Sequence, residues 1–254
     1  MAVGLALALS LAPASAAQAQ GAIPGSGRVV LEERVPERWL SERADGMLLE
    51  PARRRRRLPR RCHTRGGYRE WCQGERLVPT PFGFAARLAE FLGLGQRATA
   101  MQVMHGRPFE EWLAAVRDVD SQPLLTFPVP SGHRGRGFGY VRDAGLRHVR
   151  HDGIDIGAAE GAAIVAARGG LVVYSDNGIT GMGNVVILLH REGYSTLYAH
   201  CRATHVFAGQ FVARGEVIAE VGETGFANAP HLHFEWRQRG WLRDPGRRFL
   251  PRPE

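Results

Sequence analysis

Five candidate metal-site side chains, His151, Asp155, His200, His231 and His233, fall in three short motifs in the C-terminal half of the chain. The motifs are His151-Asp152-Gly153-Ile154-Asp155-Ile156-Gly157, Tyr198-Ala199-His200 and His231-Leu232-His233-Phe234-Glu235. Each lies on or beside a run of apolar and β-branched residues. On a strand, residues i and i+2 project from one face with Cα atoms about 6.5–7 Å apart. His231 and His233 would then share a pocket while Leu232 and Phe234 turn to a core. A His-x-His pair on its own is a weak signal, so the first motif carries much of the weight. His148 with Asp152 and His151 with Asp155 both fit His-x-x-x-Asp, and the second is better placed. Asp155 stands between Ile154 and Ile156, so a carboxylate is carried into an apolar strand, where it needs a partner, and a metal ion is a good one. Asp152 adjoins Gly153, where turn chemistry accounts for it.

Two neutral imidazoles and a carboxylate suit zinc. The set leaves about one net positive charge and a fourth tetrahedral position for water. Zinc lowers the pKa of bound water to about 7, which makes hydroxide available at neutral pH. Proton transfer would fall to the spare histidines, His200 and one of His231 and His233; spacing does not say which of that pair ligates. The chain has no His-Glu-x-x-His, so the glutamate base of that protease class is missing. Nor does it have His-x-His-x-Asp-His, since Phe234-Glu235 follows His233.

The elements that must position these residues are short strands. Ala163–Ala167, Leu171–Tyr174, Val185–Leu189, Tyr194–Tyr198, Phe211–Val212, Val217–Val221 and His231–Trp236 alternate with glycine-rich turns, which predicts an antiparallel sandwich or barrel. His190-Arg-Glu-Gly193 reads as a hairpin turn. Before this region, Phe82, Phe84, Leu88, Phe91 and Leu92 have helical spacing. A second helix is predicted over Pro108–Val116, with proline in its first turn and acids near its positive end. Gln122–Pro130 reads as a hinge.

The chain has 254 residues, a net charge of +8 and 33 basic side chains, all of them arginine. The densest run, Arg53–Arg57 followed by Arg60-Arg61, is read as a solvated linker; such runs also suit anionic polymers or lipids. Residues 1–19 are apolar and then small, with cleavage points after Ala16 or Ala19, and read as a secretory signal peptide although no basic residue precedes the apolar run. The run is short for a membrane span. Export argues against nucleic acid as a partner. Cys62 and Cys72 bracket a polar loop whose spacing allows a disulfide in an oxidising compartment; Cys201 is left over. The expected organisation is a signal peptide at 1–19 and a basic, disordered linker at 20–61. A small, partly helical region at 62–122 follows, and then a β domain at 123–254.

The stretch from about Phe138 to Phe249 resembles the LytM/lysostaphin-type zinc endopeptidases, peptidase family M23, which cleave peptide bonds in bacterial peptidoglycan. The resemblance rests on Phe138-Gly139, His151-x-Gly-Ile-Asp155-Ile-Gly, Gly161 through Ala167, Gly183-Asn184, His190 and Tyr198-Ala-His200. It extends through Gly209-x-x-Val212-x-x-Gly215, Thr224-Gly225, His231-Leu-His233-Phe-Glu235 and Asp244-Pro245. It implies a mainly β fold, a glycine-rich antiparallel two-sheet sandwich of the duplicated hybrid motif type. It also implies one Zn2+ per domain, held by His151, Asp155 and His233. His200 and His231 are then the catalytic histidines, and Asn184 and Tyr198 contact substrate. Peptidoglycan is the implied partner, with no transmembrane segment once the signal is removed, in the periplasm, envelope or medium. The alternative is a scaffold that binds wall and recruits or activates another hydrolase. Two departures from the family pattern are Cys201, where leucine is usual, and Phe226-Ala-Asn-Ala229 before the last motif. On a strand, Cys201 would face away from His200, as a small core residue.

Overall fold

A computed structural model of the chain describes residues 64–65, 68–69, 76–116, 119–140 and 150–251. The proposed signal peptide, the arginine-rich linker, Cys62 and Cys72 lie outside the described residues. Within the proposed cysteine loop, β1 (Thr64–Arg65) and β2 (Tyr68–Arg69) pair antiparallel. Three helices follow: α1 (Gly83–Leu92), α2 (Arg97–His105) and α3 (Glu110–Ala115). Among the described residues no helix is long and apolar enough to cross a membrane.

The rest is antiparallel β-structure. Its strands are β3 (His133–Arg134), β4 (Ile154–Gly157), β5 (Ala163–Val165), β6 (Gly170–Asp176), β7 (Asn184–Leu189), β8 (Tyr194–Thr204), β9 (Phe211–Val212), β10 (Val217–Val221), β11 (His231–Gln238) and β12 (Trp241–Arg243). The main layer runs β3-β4-β11-β8-β7-β6-β9, and β12 pairs with β11. β5 and β10 form a second layer, and the 11-residue β8 joins the two by pairing β11 and β7 early and β10 late. The two expected layers are therefore one hydrogen-bonded network of ten strands.

Strand β7, Asn-Val-Val-Ile-Leu-Leu, is buried throughout, because both faces of the main layer are covered. Val172, Val186, Leu188, Tyr198, Leu232 and Phe234 face the second layer, against Ile164, Ile218 and Val221. Leu171, Val173, Val185, Ile187, Leu189 and Leu197 face the opposite way, against Leu88, Ala100, Val103, Met104 and Trp112 of the helices. The helices thus roof the sheet and share its core. α2 went unread in the sequence: its residues are mostly polar or small, and its buried stripe of Thr99, Ala100, Val103 and Met104 is short.

His190, fully buried at the end of β7, donates from Nδ1 to the Gly169 carbonyl at 2.8 Å and has Nε2 2.8 Å from Thr196 Oγ1. Burial pushes its pKa down to about 3. An unfolded histidine titrates near 6.5, so the unfolded chain takes the proton first. The stabilisation is complete above about pH 6.5 and is lost as pH falls toward 3. In metal-free protein the urea midpoint is expected to fall from pH 7 to pH 4. His190→Gln should flatten that slope by up to about 1.4 kcal/mol per pH unit. Parallel slopes for the two proteins would refute the assignment.

Candidate metal centre and active site

β4 and β11 lie side by side with His233 opposite Asp155 and Phe234 opposite Ile154. Ile154 and Ile156 point into the core, which leaves Asp155 on the other face beside His231, His233 and Glu235. His151 enters from the segment before β4, where its backbone pairs with Gly139. Three atoms converge: His151 Nε2, Asp155 Oδ1 and His233 Nδ1. Each of the three separations is 3.1 Å. A tetrahedral ion with bonds of about 2.0–2.1 Å holds its ligand atoms roughly 3.3–3.4 Å apart, so this triangle is close to one face of such a site. Among the described residues this is the one group of three with ligand-type atoms that close.

Each imidazole is oriented by its outer nitrogen. His151 Nδ1 donates to the Gly137 carbonyl, His200 Nδ1 to the Thr224 carbonyl and His231 Nδ1 to the Ala229 carbonyl, each at 2.8 Å. A carbonyl can only accept, so all three rings carry the proton on Nδ1 and present Nε2 to the site. His233 is reversed. Its Nε2 lies 3.2 Å from Glu235 Oε1 and its Nδ1 faces Asp155. Without a metal, burial opposes a charge on His233, but the hydrogen bonds to Asp155 and Glu235 outweigh it and raise its pKa to about 9. Burial likewise opposes the charge on Asp155, yet His151 and His233 hold its carboxyl well below the usual range. In the metal-free protein a proton thus stands where a cation would.

His200 and His231 complete the cluster, with ring centroids 4.8 Å apart and His200 5.9 Å from His233. His231 Nε2 is 3.8 Å from Asp155 Oδ1. Burial, helped by the neighbouring His233 and His231, pulls the His200 pKa down to about 3, so this ring is neutral near pH 7. His200 has φ +63°, a left-handed conformation that costs a non-glycine residue about 1–3 kcal/mol. The kink has a use. Strict alternation from Tyr198 would turn His200 into the core and Cys201 out of it. With the kink, Tyr198 and Cys201 both point into the inner core, and His200 joins the other histidines.

Two expected substrate contacts are corrected. Tyr198 is fully buried, accepts a 2.8 Å hydrogen bond from the Ala167 amide and lies 3.1 Å from Thr196 Oγ1, on the face away from the site. Asn184 is also fully buried, and its Nδ2 donates to the carbonyls of Cys201 and Arg202. Both brace β8 and neither reaches solvent. The motif order suggested them, but a polar side chain inside a buried strand is more often a strut. Glu235, Arg237, Thr224 and Ala229 were the residues sequence reading missed. The carbonyl partners leave no trace in residue type, whereas Glu235 and Arg237 were legible as charges continuing the i, i+2 face of His231 and His233.

Residues 149–245 match the family model Peptidase family M23. The chain carries a peptidase family M23 domain. The M23 domain is 38% identical over 78 residues to the cell division protein DipM of Caulobacter vibrioides, and 46% identical over 74 residues to the DD-carboxypeptidase/endopeptidase Mpg of Neisseria meningitidis. These stretches are 31% and 29% of this chain but only 13% and 17% of those relatives. In three dimensions it is similar to a zinc-containing peptidase from Vibrio cholerae, with a TM-score of 0.46 and 31% identity over 51% of this chain and 41% of that one.

Proposed function

We propose that the chain is a zinc-dependent endopeptidase that hydrolyses peptide bonds in bacterial peptidoglycan. The observation that carries the reading is the triangle of His151 Nε2, Asp155 Oδ1 and His233 Nδ1, with two further histidines directed at it. Two neutral nitrogens and one carboxylate oxygen are a zinc donor set. Bound zinc supplies Lewis acidity, activating water and polarising a carbonyl. The chain's own residues do the rest. His200 and His231, each held by a backbone carbonyl, offer Nε2 atoms that take a proton from water and return it to the leaving amine. Supporting the substrate class, two of the relatives are a cell division protein and a DD-carboxypeptidase/endopeptidase. The net charge of +8 suits an anionic wall. An envelope location agrees with relatives that include a lipoprotein NlpD/LppB homolog of Pseudomonas aeruginosa.

The test uses the whole 254-residue chain, because the helices share the core of the sheet. Zinc content is measured, and purified peptidoglycan is digested and read by mass spectrometry. The wild type is expected to hold about one zinc and to create new peptide ends. His200→Ala should keep the zinc and lose activity by about 10²–10⁴-fold. Wild type that holds zinc and binds wall but cuts nothing would replace the enzyme with a scaffold.

A further inference from the structure

His233 is the one histidine of the cluster oriented by a carboxylate, and that carboxylate is itself held from behind. Glu235 is completely buried. Its Oε1 faces His233 Nε2, and its Oε2 accepts from Arg237 Nε at 2.6 Å. Arg237, also buried, donates from Nη1 to the carbonyl of Met104 at 2.5 Å. Met104 is in the last turn of α2, whose final carbonyls have no partner within the helix and form its negative end. The β11–β12 turn presses on the same spot: a Cβ on Gly240, at φ +82°, would overlap the Gly106 carbonyl.

A buried carboxylate without a cation is costly, so Arg237 is what allows Glu235 to remain charged at no exposure. A charged Glu235 can only accept, which fixes the proton of a neutral His233 on Nε2 and leaves the Nδ1 lone pair directed at Asp155 and His151. The path runs from the end of α2 through Arg237 and Glu235 to the ring of His233.

We propose that Glu235 and Arg237 are positioning residues for the metal centre, and that the C-terminal end of α2 is part of its support. The helical roof, outside the M23 segment in sequence, thereby sets how well the site holds its ion. The inference rests on His151, Asp155 and His233 as the metal site.

The experiment measures zinc affinity by chelator competition, together with the visible spectrum of the cobalt-substituted protein, in the whole chain with folding checked by circular dichroism. Glu235→Ala is expected to weaken zinc by roughly 10–100-fold, the usual effect of removing a ligand's outer partner, and to shift the cobalt bands. Arg237→Met should act in the same direction. The double variant should bind no more weakly than Glu235→Ala alone, because both act through one path. Unchanged zinc affinity in folded Glu235→Ala, or additive losses in the double variant, would overturn the proposal. Should Glu235→Ala fail to fold, nitrogen-15 spectra of histidine-labelled, zinc-loaded wild type decide. The His233 proton is expected on Nε2, and finding it on Nδ1 would refute the path. Wild type without zinc would remove the metal site and this inference together. Wild type with zinc and an unaffected Glu235→Ala would remove this inference alone.

Discussion

Replacing Asp155 by alanine is expected to abolish zinc binding at the triangle of His151, Asp155 and His233. Asp155 is the sole anion of the triangle, and its Oδ1 lies 3.1 Å from each of the other two ligand atoms. Without it, two neutral rings face a divalent cation with no compensating charge. Loss of an outer partner typically costs 10–100-fold in affinity, so loss of a ligand should exceed about 100-fold. Hydrolysis should fall to background with it. Proton release provides a second measurement. Metal-free His233 has its pKa raised to about 9, above the unfolded value near 6.5. The stabilisation this brings is complete below about pH 6.5 and disappears as pH rises through 9. At pH 7.5 the metal-free ring is still protonated, so zinc must displace about one proton. Titration calorimetry in buffers of different ionisation enthalpy reads that proton directly. Uptake with no proton released would mean that His233 is not the nitrogen displaced.

Gly209→Ala should be the most damaging single methyl on the scaffold. Gly209 has φ +95°, and a Cβ there would overlap the backbone carbonyl of Ala85 in α1. Its amide also donates to the Val172 carbonyl at 2.8 Å, so it cannot retreat without leaving β6. Strain and overpacking each cost about 1–3 kcal/mol, and a total on the order of 3 kcal/mol or more is expected in urea unfolding. Gly215 is the control. Its φ is +79°, but no atom lies within 4 Å of its Cβ position. Gly215→Ala should therefore cost only the left-handed penalty, roughly 1–2 kcal/mol. Equal losses would show that α1 is not seated on the 207–210 turn.

Much of the sheet was legible because apolar runs and glycine turns are local signals. β10 falls on the predicted Val217–Val221, and β11 contains the predicted His231–Trp236. β12 was missed, since three residues with two exposed carry no period. α1 was legible from its aromatic and leucine spacing, whereas α2 was not. The side of the sheet to which each site residue turns was only partly legible. Asp155 could be placed by its isoleucine neighbours. His200 could not, because a left-handed residue inside a strand reverses the alternation on which such placement depends. Tyr198 was misread for the complementary reason: a motif fixes proximity along the chain, while the pleat decides which face is wet.

The triangle draws on residues far apart in the chain, His151 and His233 being 82 positions apart. Contacts of such separation form late, after long loops have closed. β11, which brings both His231 and His233, is the penultimate strand of the sheet. A nascent or partly threaded chain thus lacks half of its imidazole cluster until β11 has emerged. Assembly order alone keeps the triangle of His151, Asp155 and His233 open until that strand is made.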